Sequence, residues 1–169
     1  VGPSTFRGER GFEDFVSPWI RTDNTWTDAY AFVPFGVAVD EFQHIIYENP
    51  NLTPKERTYE WHKLEEKYMP WRDYDGDAFL EAGGFWMQKQ HIFMCPFYYI
   101  DYSLASMGAF EYYIRSLNDR EEAWKDYYRL CTMGGSKGYL ELLDEGNLSN
   151  PFSEGTVEGI MKKLRKKIF

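Results

Sequence analysis

A helix start signal in the run TPKE, residues 53–56, is the sequence feature that most constrains the fold. Thr53 can cap a helix, Pro54 suits its first position, and Glu56 lies three residues after the cap, which completes a capping box. Apolar residues at helical spacing follow as far as about Tyr68, ahead of Pro70. This segment is therefore predicted to be a helix.

Similar signals divide most of the remaining chain into helices, and no strand-like alternation or internal repeat competes with them. Residues 1–30 show little periodicity and many turn formers, so we predict loop there, with room for one short helix. Further helices are predicted over 33–47, from about residue 80, and over 96–118, 119–133, 137–144 and 154–167. The predicted fold is all-α, a helical bundle-like domain.

Charge and composition exclude several classes of function. The net charge of −8 and the isoelectric point near 4.9 argue against nucleic acid as a partner. The sequence has no apolar run long enough to span a membrane and no secretory leader at its start. Two cysteines, Cys95 and Cys131, are too few for a disulfide framework and favour a reducing, cytoplasmic setting. We therefore expect neither nucleic acid nor a membrane as a partner.

The run DEFQH, residues 40–44, is similar to a zinc-peptidase motif whose first histidine is replaced. Asp40 and His44 have the required spacing beside Glu41, and Glu65 or Glu66 could serve as a third ligand. An aspartate in the first position is rare, so we favour a helix in which His44 hydrogen-bonds a neighbouring carboxylate.

His91 and Cys95, four residues apart, could form a thiol nucleophile. Cys95 lies between Met94 and Pro96, and only His91 could lower its pKa. We therefore interpret Cys95 as a small hydrophobic side chain.

The stretch from residue 83 to residue 104 is unusually rich in glycines and polar rings, namely Gly83, Gly84, His91, Tyr98, Tyr99 and Tyr102. The glycines would let a backbone approach a ligand closely. On a helix beginning near Pro96 the three tyrosines can share one face, and His91 would lie before it on a turn or loop. An imidazole and phenol hydroxyls around one point suit the stabilisation of an oxyanion. The alternative is aromatic core packing, which is common at this spacing.

Four runs carry a family resemblance, in the order PFGVAVDEFQHIIYENPNLTPKER, KYMPWRDYDGD, LEAGGFWMQKQHIF and PFYYIDYSLA. Together they closely resemble the C-terminal part of oligoendopeptidase F, a zinc metallopeptidase of the thimet oligopeptidase family. The resemblance divides the chain into an unmatched, loop-rich stretch, residues 1–31, and a helical C-terminal domain, residues 32–169.

The resemblance implies a helical wall of a peptidase cleft, with short peptides as substrates and zinc as the cofactor of the full-length family. By position, His91 would hydrogen-bond the substrate backbone and Tyr102 would stabilise the oxyanion. Tyr99 or Tyr98 would add a second hydroxyl, and the Tyr-x-x-Tyr order favours Tyr99. Gly83 and Gly84 would line the substrate site.

The sequence departs from the family because it contains no HExxH motif. We therefore expect this chain to bind no zinc and to hydrolyse no peptide by itself. Expected partners are a zinc-bearing N-terminal portion and, through an exposed apolar face, a second copy of the chain. Two alternatives stay open: a non-catalytic helical binding or scaffolding module, and a self-sufficient metal site around Asp40, Glu41 and His44.

Overall fold

A computed structural model describes residues 23–168, with side chains from residue 29 to residue 166. The stretch 1–22, predicted to be mostly loop, lies outside the described residues. Residues 23–168 contain helices and no strand, which confirms the all-α prediction. The elements are α1 (Asp23–Glu48), α2 (Pro54–Tyr68), α3 (Ala78–Glu81), a 3₁₀ helix (Gly84–Gln88), α4 (Gln90–Met94), α5 (Ile100–Ser116), α6 (Arg120–Met133), α7 (Tyr139–Glu145) and α8 (Thr156–Ile168).

Helix α2 begins where the capping box predicts. The Thr53 hydroxyl accepts the Glu56 N–H at 3.3 Å, and the Glu56 carboxylate accepts the Thr53 N–H at 2.7 Å. The buried face of the helix carries Trp61, Leu64 and Glu65, and it packs against α1 and the 3₁₀ helix. The prediction for this segment is confirmed.

Helix α1 begins at Asp23 and not at Val33, so the prediction of a mainly loop-like stretch is wrong for residues 23–30. Ala29, Tyr30 and Val33 pack against a core that α5 and α8 form. These contacts stabilise the early turns of the helix, which have little periodicity of their own.

The segment between α2 and α5 also differs from the prediction. The helix expected from about residue 80 is three short helical pieces, because Gly83 adopts a left-handed conformation with a φ of 95°. The helix expected to open at Pro96 begins at Ile100, since Phe97 is left-handed too, with a φ of 62°. His91 consequently lies within α4 and not on a turn or loop.

Two apolar cores hold the helices together. The first contains Phe35, Ala38, Val39, Phe42, Trp61, Leu64, Met69, Trp86, Ile92 and Tyr99. The second contains Met107, Phe110, Ile114, Ile160 and Leu164. Helices α1 and α5 pack against each other. Helix α1 contributes to both cores, whereas α5 belongs to the second core and only its N-cap residue, Tyr99, to the first.

The crossing of α1 and α5 is close because Gly36 faces Ser103. A Cβ atom on Gly36 would lie 2.0 Å from the Ser103 Oγ and 3.4 Å from its Cβ. The buried Ser103 hydroxyl donates to the Val33 carbonyl at 3.4 Å. This contact fixes the distance between α1 and the first turns of α5.

None of the helices within residues 23–168 combines the length and the apolarity that crossing a membrane requires.

Candidate functional site

Four of the predicted site side chains lie together, and we name them the His–Tyr cluster: His91, Tyr98, Tyr99 and Tyr102. The His91 ring centre lies 5.1 Å from that of Tyr99, 6.0 Å from that of Tyr102 and 6.2 Å from that of Tyr98. The Tyr102 ring lies 5.3 Å from Tyr98 and 5.4 Å from Tyr99, edge to face in both pairs. The four rings therefore form one continuous layer, which contains one imidazole and three phenol hydroxyls.

Three different elements supply the cluster. His91 comes from α4, Tyr98 from the turn before α5, Tyr99 from the N-cap of α5, and Tyr102 from its first turn. Phe32 of α1 supports the layer from behind, with its ring centre 5.9 Å from Tyr99 and 6.4 Å from Tyr102. The prediction that the three tyrosines share one helix face is therefore wrong, because only Tyr102 lies within α5. The three rings nevertheless contact one another.

Exposure separates the tyrosines into two groups. Tyr98 is 47% exposed and Tyr102 is 39% exposed, whereas Tyr99 is only 8% exposed and belongs to the first core. The core-packing alternative therefore describes Tyr99 well. Tyr98 and Tyr102 present much of their surface to solvent, where a ligand could reach them.

The hydroxyls of Tyr99 and Tyr102 are hydrogen-bond donors at neutral pH. A hydrogen bond with the Tyr98 side chain raises the pKa of Tyr102 above its ordinary value. Burial raises the pKa of Tyr99. Because both pKa values rise from about 10, each hydroxyl keeps its proton and can donate it in a hydrogen bond.

The glycine pair serves the packing of this chain itself. Gly83 and Gly84 are both buried. A Cβ on Gly83 would lie 2.3 Å from the Thr58 carbonyl oxygen, and one on Gly84 would lie 2.4 Å from the Phe79 ring. The space beside these glycines is therefore occupied by α2 and by the Phe79 ring, and not left open for a ligand. Neither glycine is part of the proposed site.

Comparison with known proteins gives the chain its relatives. No protein-family model and no curated protein matches it. Among solved structures, PZ peptidase A with an inhibitor is 49% identical over 86% of this chain and 26% of that chain, with a TM-score of 0.82. A protein assigned as oligoendopeptidase F is 43% identical over 92% of this chain and 27% of that chain, also with a TM-score of 0.82. An oligoendopeptidase F assignment from Bacillus anthracis str. Ames is 38% identical over 86% of this chain and 23% of that chain, with a TM-score of 0.68.

The chain is an oligoendopeptidase F-like segment. The resemblance to the C-terminal part of these peptidases is thereby confirmed. This oligoendopeptidase F-like chain spans about a quarter of the length of the solved relatives that it matches.

The zinc of the oligoendopeptidase F family does not fit the residues described here. Asp40 pairs with His44 at 3.6 Å, while Glu41 accepts hydrogen bonds from Lys67 and Tyr68. Across the described part of the chain, no three His, Cys, Asp or Glu side chains come close enough to hold a metal ion. His44 lies near the Asp40 carboxylate, but the 3.6 Å separation is too long for the predicted hydrogen bond. The ligand set of the zinc alternative does not assemble within the described residues.

Cys95 lies at the surface of this oligoendopeptidase F-like domain. It is a free, exposed thiol, and Met94 beside it is 69% exposed. The interpretation of Cys95 as a small hydrophobic side chain therefore does not hold in this structure, because its thiol is exposed to solvent.

Gln43 was not predicted from the sequence as a functional residue. Its side chain is completely buried in α1. Its amide oxygen accepts the Phe97 N–H at 2.8 Å, directly before the tyrosines. The signal was present in the sequence, since Gln43 follows Val39 by four residues and Phe42 by one, and so shares the apolar face of the helix.

Proposed function

We propose that this chain supplies the substrate-holding and oxyanion-stabilising wall of a metallopeptidase cleft that acts on short peptides. The observation that carries the proposal is the His–Tyr cluster, whose exposed hydroxyls lie beside an imidazole in a chain 49% identical to PZ peptidase A. Tyr98 and Tyr102 are partly exposed beside His91, so a substrate can contact their rings and hydroxyls.

Tyr102 is assigned to the developing oxyanion. Peptide hydrolysis places negative charge on the carbonyl oxygen in the transition state, and a fixed hydrogen-bond donor stabilises that charge more than it stabilises the ground state. The raised pKa of Tyr102 keeps its hydroxyl protonated, and its ring is held between Tyr98, Tyr99 and Phe32. The donor is therefore positioned before the substrate arrives.

His91 and a second tyrosine are assigned to the peptide backbone. The His91 ring stacks parallel to Tyr98, with an interplanar angle of 10°, so both can line the same strand of substrate. For the second hydroxyl, exposure supports Tyr98, because Tyr99 is buried in the core. This reverses the preference for Tyr99 that the order of residues had suggested.

Water activation is not assigned to this chain. A phenol whose pKa lies above 10 is a poor base at neutral pH, and the His–Tyr cluster contains no carboxylate to deprotonate water. The sequence also lacks HExxH. The proposed contribution is therefore limited to binding the peptide and stabilising its oxyanion.

The test uses a chimera in which this chain replaces the segment of PZ peptidase A that it matches. In that chimera we expect Tyr102→Phe to lower kcat by about 10²–10³, the usual effect of removing one oxyanion donor, with little change in KM. The substitution keeps every ring contact of Tyr102 and removes only the hydroxyl.

Tyr128→Phe is the matched control, since Tyr128 is 60% exposed on α6 and lies outside the His–Tyr cluster. It should leave kcat and KM unchanged. If Tyr102→Phe also leaves kcat within a few-fold of the parent chimera, the catalytic assignment is wrong and the non-catalytic helical module is the better description.

A further inference from the structure

A strained turn at Phe97 directs the chain into the His–Tyr cluster. Phe97 has a φ of 62° although it is not glycine, and a left-handed conformation is unfavourable for a residue with a side chain. Tyr98 and Tyr99 follow it directly, and α5 begins at Ile100. The backbone of Phe97 therefore determines where these tyrosine rings lie, and some other part of the molecule must hold it in this conformation.

The buried side chain of Gln43 holds that turn. Its Oε1 accepts the Phe97 N–H at 2.8 Å, across 54 residues of sequence. Its Nε2 donates to the Val39 carbonyl at 3.3 Å, one turn earlier in α1. Because the second bond orients the amide, the oxygen and not the NH₂ group faces Phe97.

Other side chains of α1 secure the same segment. The Tyr47 hydroxyl donates to the Ile92 carbonyl in α4 at 3.1 Å. The Phe97 ring packs against His44 at 4.9 Å and against Tyr47 at 5.4 Å between ring centres. Side chains of α1 thus contact the segment 92–97 at both of its ends. Among these contacts, the Gln43 hydrogen bond lies nearest to the tyrosines in sequence.

We propose that Gln43 is the positioning residue of the His–Tyr cluster. By bonding the Phe97 N–H it keeps the left-handed turn that sets Tyr98, Tyr99 and Tyr102 against His91. The catalytic meaning of this role rests on the proposed function, but the geometric role can be tested without it.

The first test is Gln43→Met, which keeps the length of the side chain and removes both hydrogen bonds. In the variant chain we expect loss of the NMR contacts between the His91 ring protons and those of Tyr98 and Tyr102. Leu64→Ala, a buried change on α2 outside the segment, should keep these contacts although it also destabilises the fold. Contacts that survive in a folded Gln43→Met chain would overturn the proposal.

A conservative variant distinguishes positioning from bulk stability. Adding Phe97→Gly to Gln43→Met lowers the cost of the left-handed turn, because glycine adopts a positive φ readily. Because Phe97→Gly also removes the ring contacts with His44 and Tyr47, the single Phe97→Gly variant is the reference. Gln43→Met should weaken the His91–Tyr102 contact less in the Phe97→Gly background than in the parent chain, and an equal loss in both backgrounds would contradict the assigned role.

A second measurement needs no variant, should Gln43→Met fail to fold. The Phe97 amide lies outside every helix, yet its hydrogen bond to a fully buried acceptor predicts slow hydrogen exchange. Exchange as fast as that of an exposed loop amide would overturn the proposal.

In the PZ peptidase A chimera, Gln43→Met should lower kcat by about tenfold or more, because it displaces Tyr102, and should also raise KM, because it moves Tyr98 away from His91. An unchanged kcat, in a chimera that Tyr102→Phe impairs, would refute the positioning role. If Tyr102→Phe has no effect, the proposed function fails, and the NMR contacts still decide the role of Gln43.

Discussion

The contact between Gly36 and Ser103 predicts opposite effects of Gly36→Ala on stability in two backgrounds. The substitution should destabilise the chain that has Ser103 and stabilise the Ser103→Ala chain. Gly36→Ala places a Cβ 2.0 Å from the Ser103 Oγ, which is far inside contact distance. Ser103 is buried, so its hydroxyl has little room to move away. Ser103→Ala removes this Oγ atom. The nearest remaining atom of residue 103 is then its Cβ, which lies 3.4 Å from the added Cβ at position 36, an ordinary contact distance.

The two opposing contributions can be estimated. Alanine in a helix interior is more stable than glycine by about 0.5–1 kcal/mol. Overpacking of a tight contact costs about 1–3 kcal/mol. We therefore expect Gly36→Ala to destabilise the chain by about 0.5–2 kcal/mol, and to stabilise the Ser103→Ala chain by up to about 1 kcal/mol. Ser103→Ala alone should cost about 0.5 kcal/mol, because its bond to the Val33 carbonyl is long at 3.4 Å.

Urea denaturation of the four chains, followed by tryptophan fluorescence, measures this cycle. Trp61 and Trp86 lie in the first core and report on its integrity. The expected coupling free energy is about 0.5–3 kcal/mol, which is the range for residues in direct contact. If Gly36→Ala has the same effect in both backgrounds, the close crossing of α1 and α5 is wrong, and with it the placement of the first turns of α5.

Three further predictions concern the isolated chain. It should not hydrolyse a quenched fluorescent peptide with or without added zinc, and chelator-sensitive cleavage by a protease-free sample would refute this. It should self-associate or bind an apolar dye, because Phe93 and Met94 are 55% and 69% exposed beside the His–Tyr cluster; a monodisperse monomer that ignores the dye would contradict this. Finally, burial raises the pKa of Tyr112 to about 12. The unfolded chain should release this proton near pH 10 while the folded chain retains it, so stability should hold below pH 10 and fall between pH 10 and pH 12. Tyr112→Phe should flatten that fall in thermal unfolding curves, and an equally steep fall in the variant would disprove the assignment.

Local signals in the sequence predict part of this structure well. The capping box of α2 depends only on Thr53 and Glu56, which are near neighbours, so the sequence suffices to place it. The gathering of His91 with the tyrosines followed from a family resemblance, which carries information about distant contacts.

Features that depend on distant contacts were not predictable from local patterns. The start of α1 depends on packing against α5 and α8, and the turn at Phe97 depends on Gln43, 54 residues away. The burial of Tyr99 and the exposure of Cys95 both follow from that turn. Helical spacing says which residues share a face, but it says nothing about a backbone that a remote side chain holds in a left-handed conformation.

The sharing of α1 and α5 between both cores bears on how the chain opens. Val33 and Phe35 are two residues apart on α1, yet they pack into different cores. Met107 of α5 lies in the second core, while Tyr99, the N-cap of the same helix, lies in the first. Neither core can separate without displacing a helix that the other core needs. Amides along the middle of these two helices should therefore exchange with solvent only in a single cooperative event, at a rate common to both. The His–Tyr cluster lies against that cooperative unit, so a partner that binds the cluster should slow exchange as far away as α8.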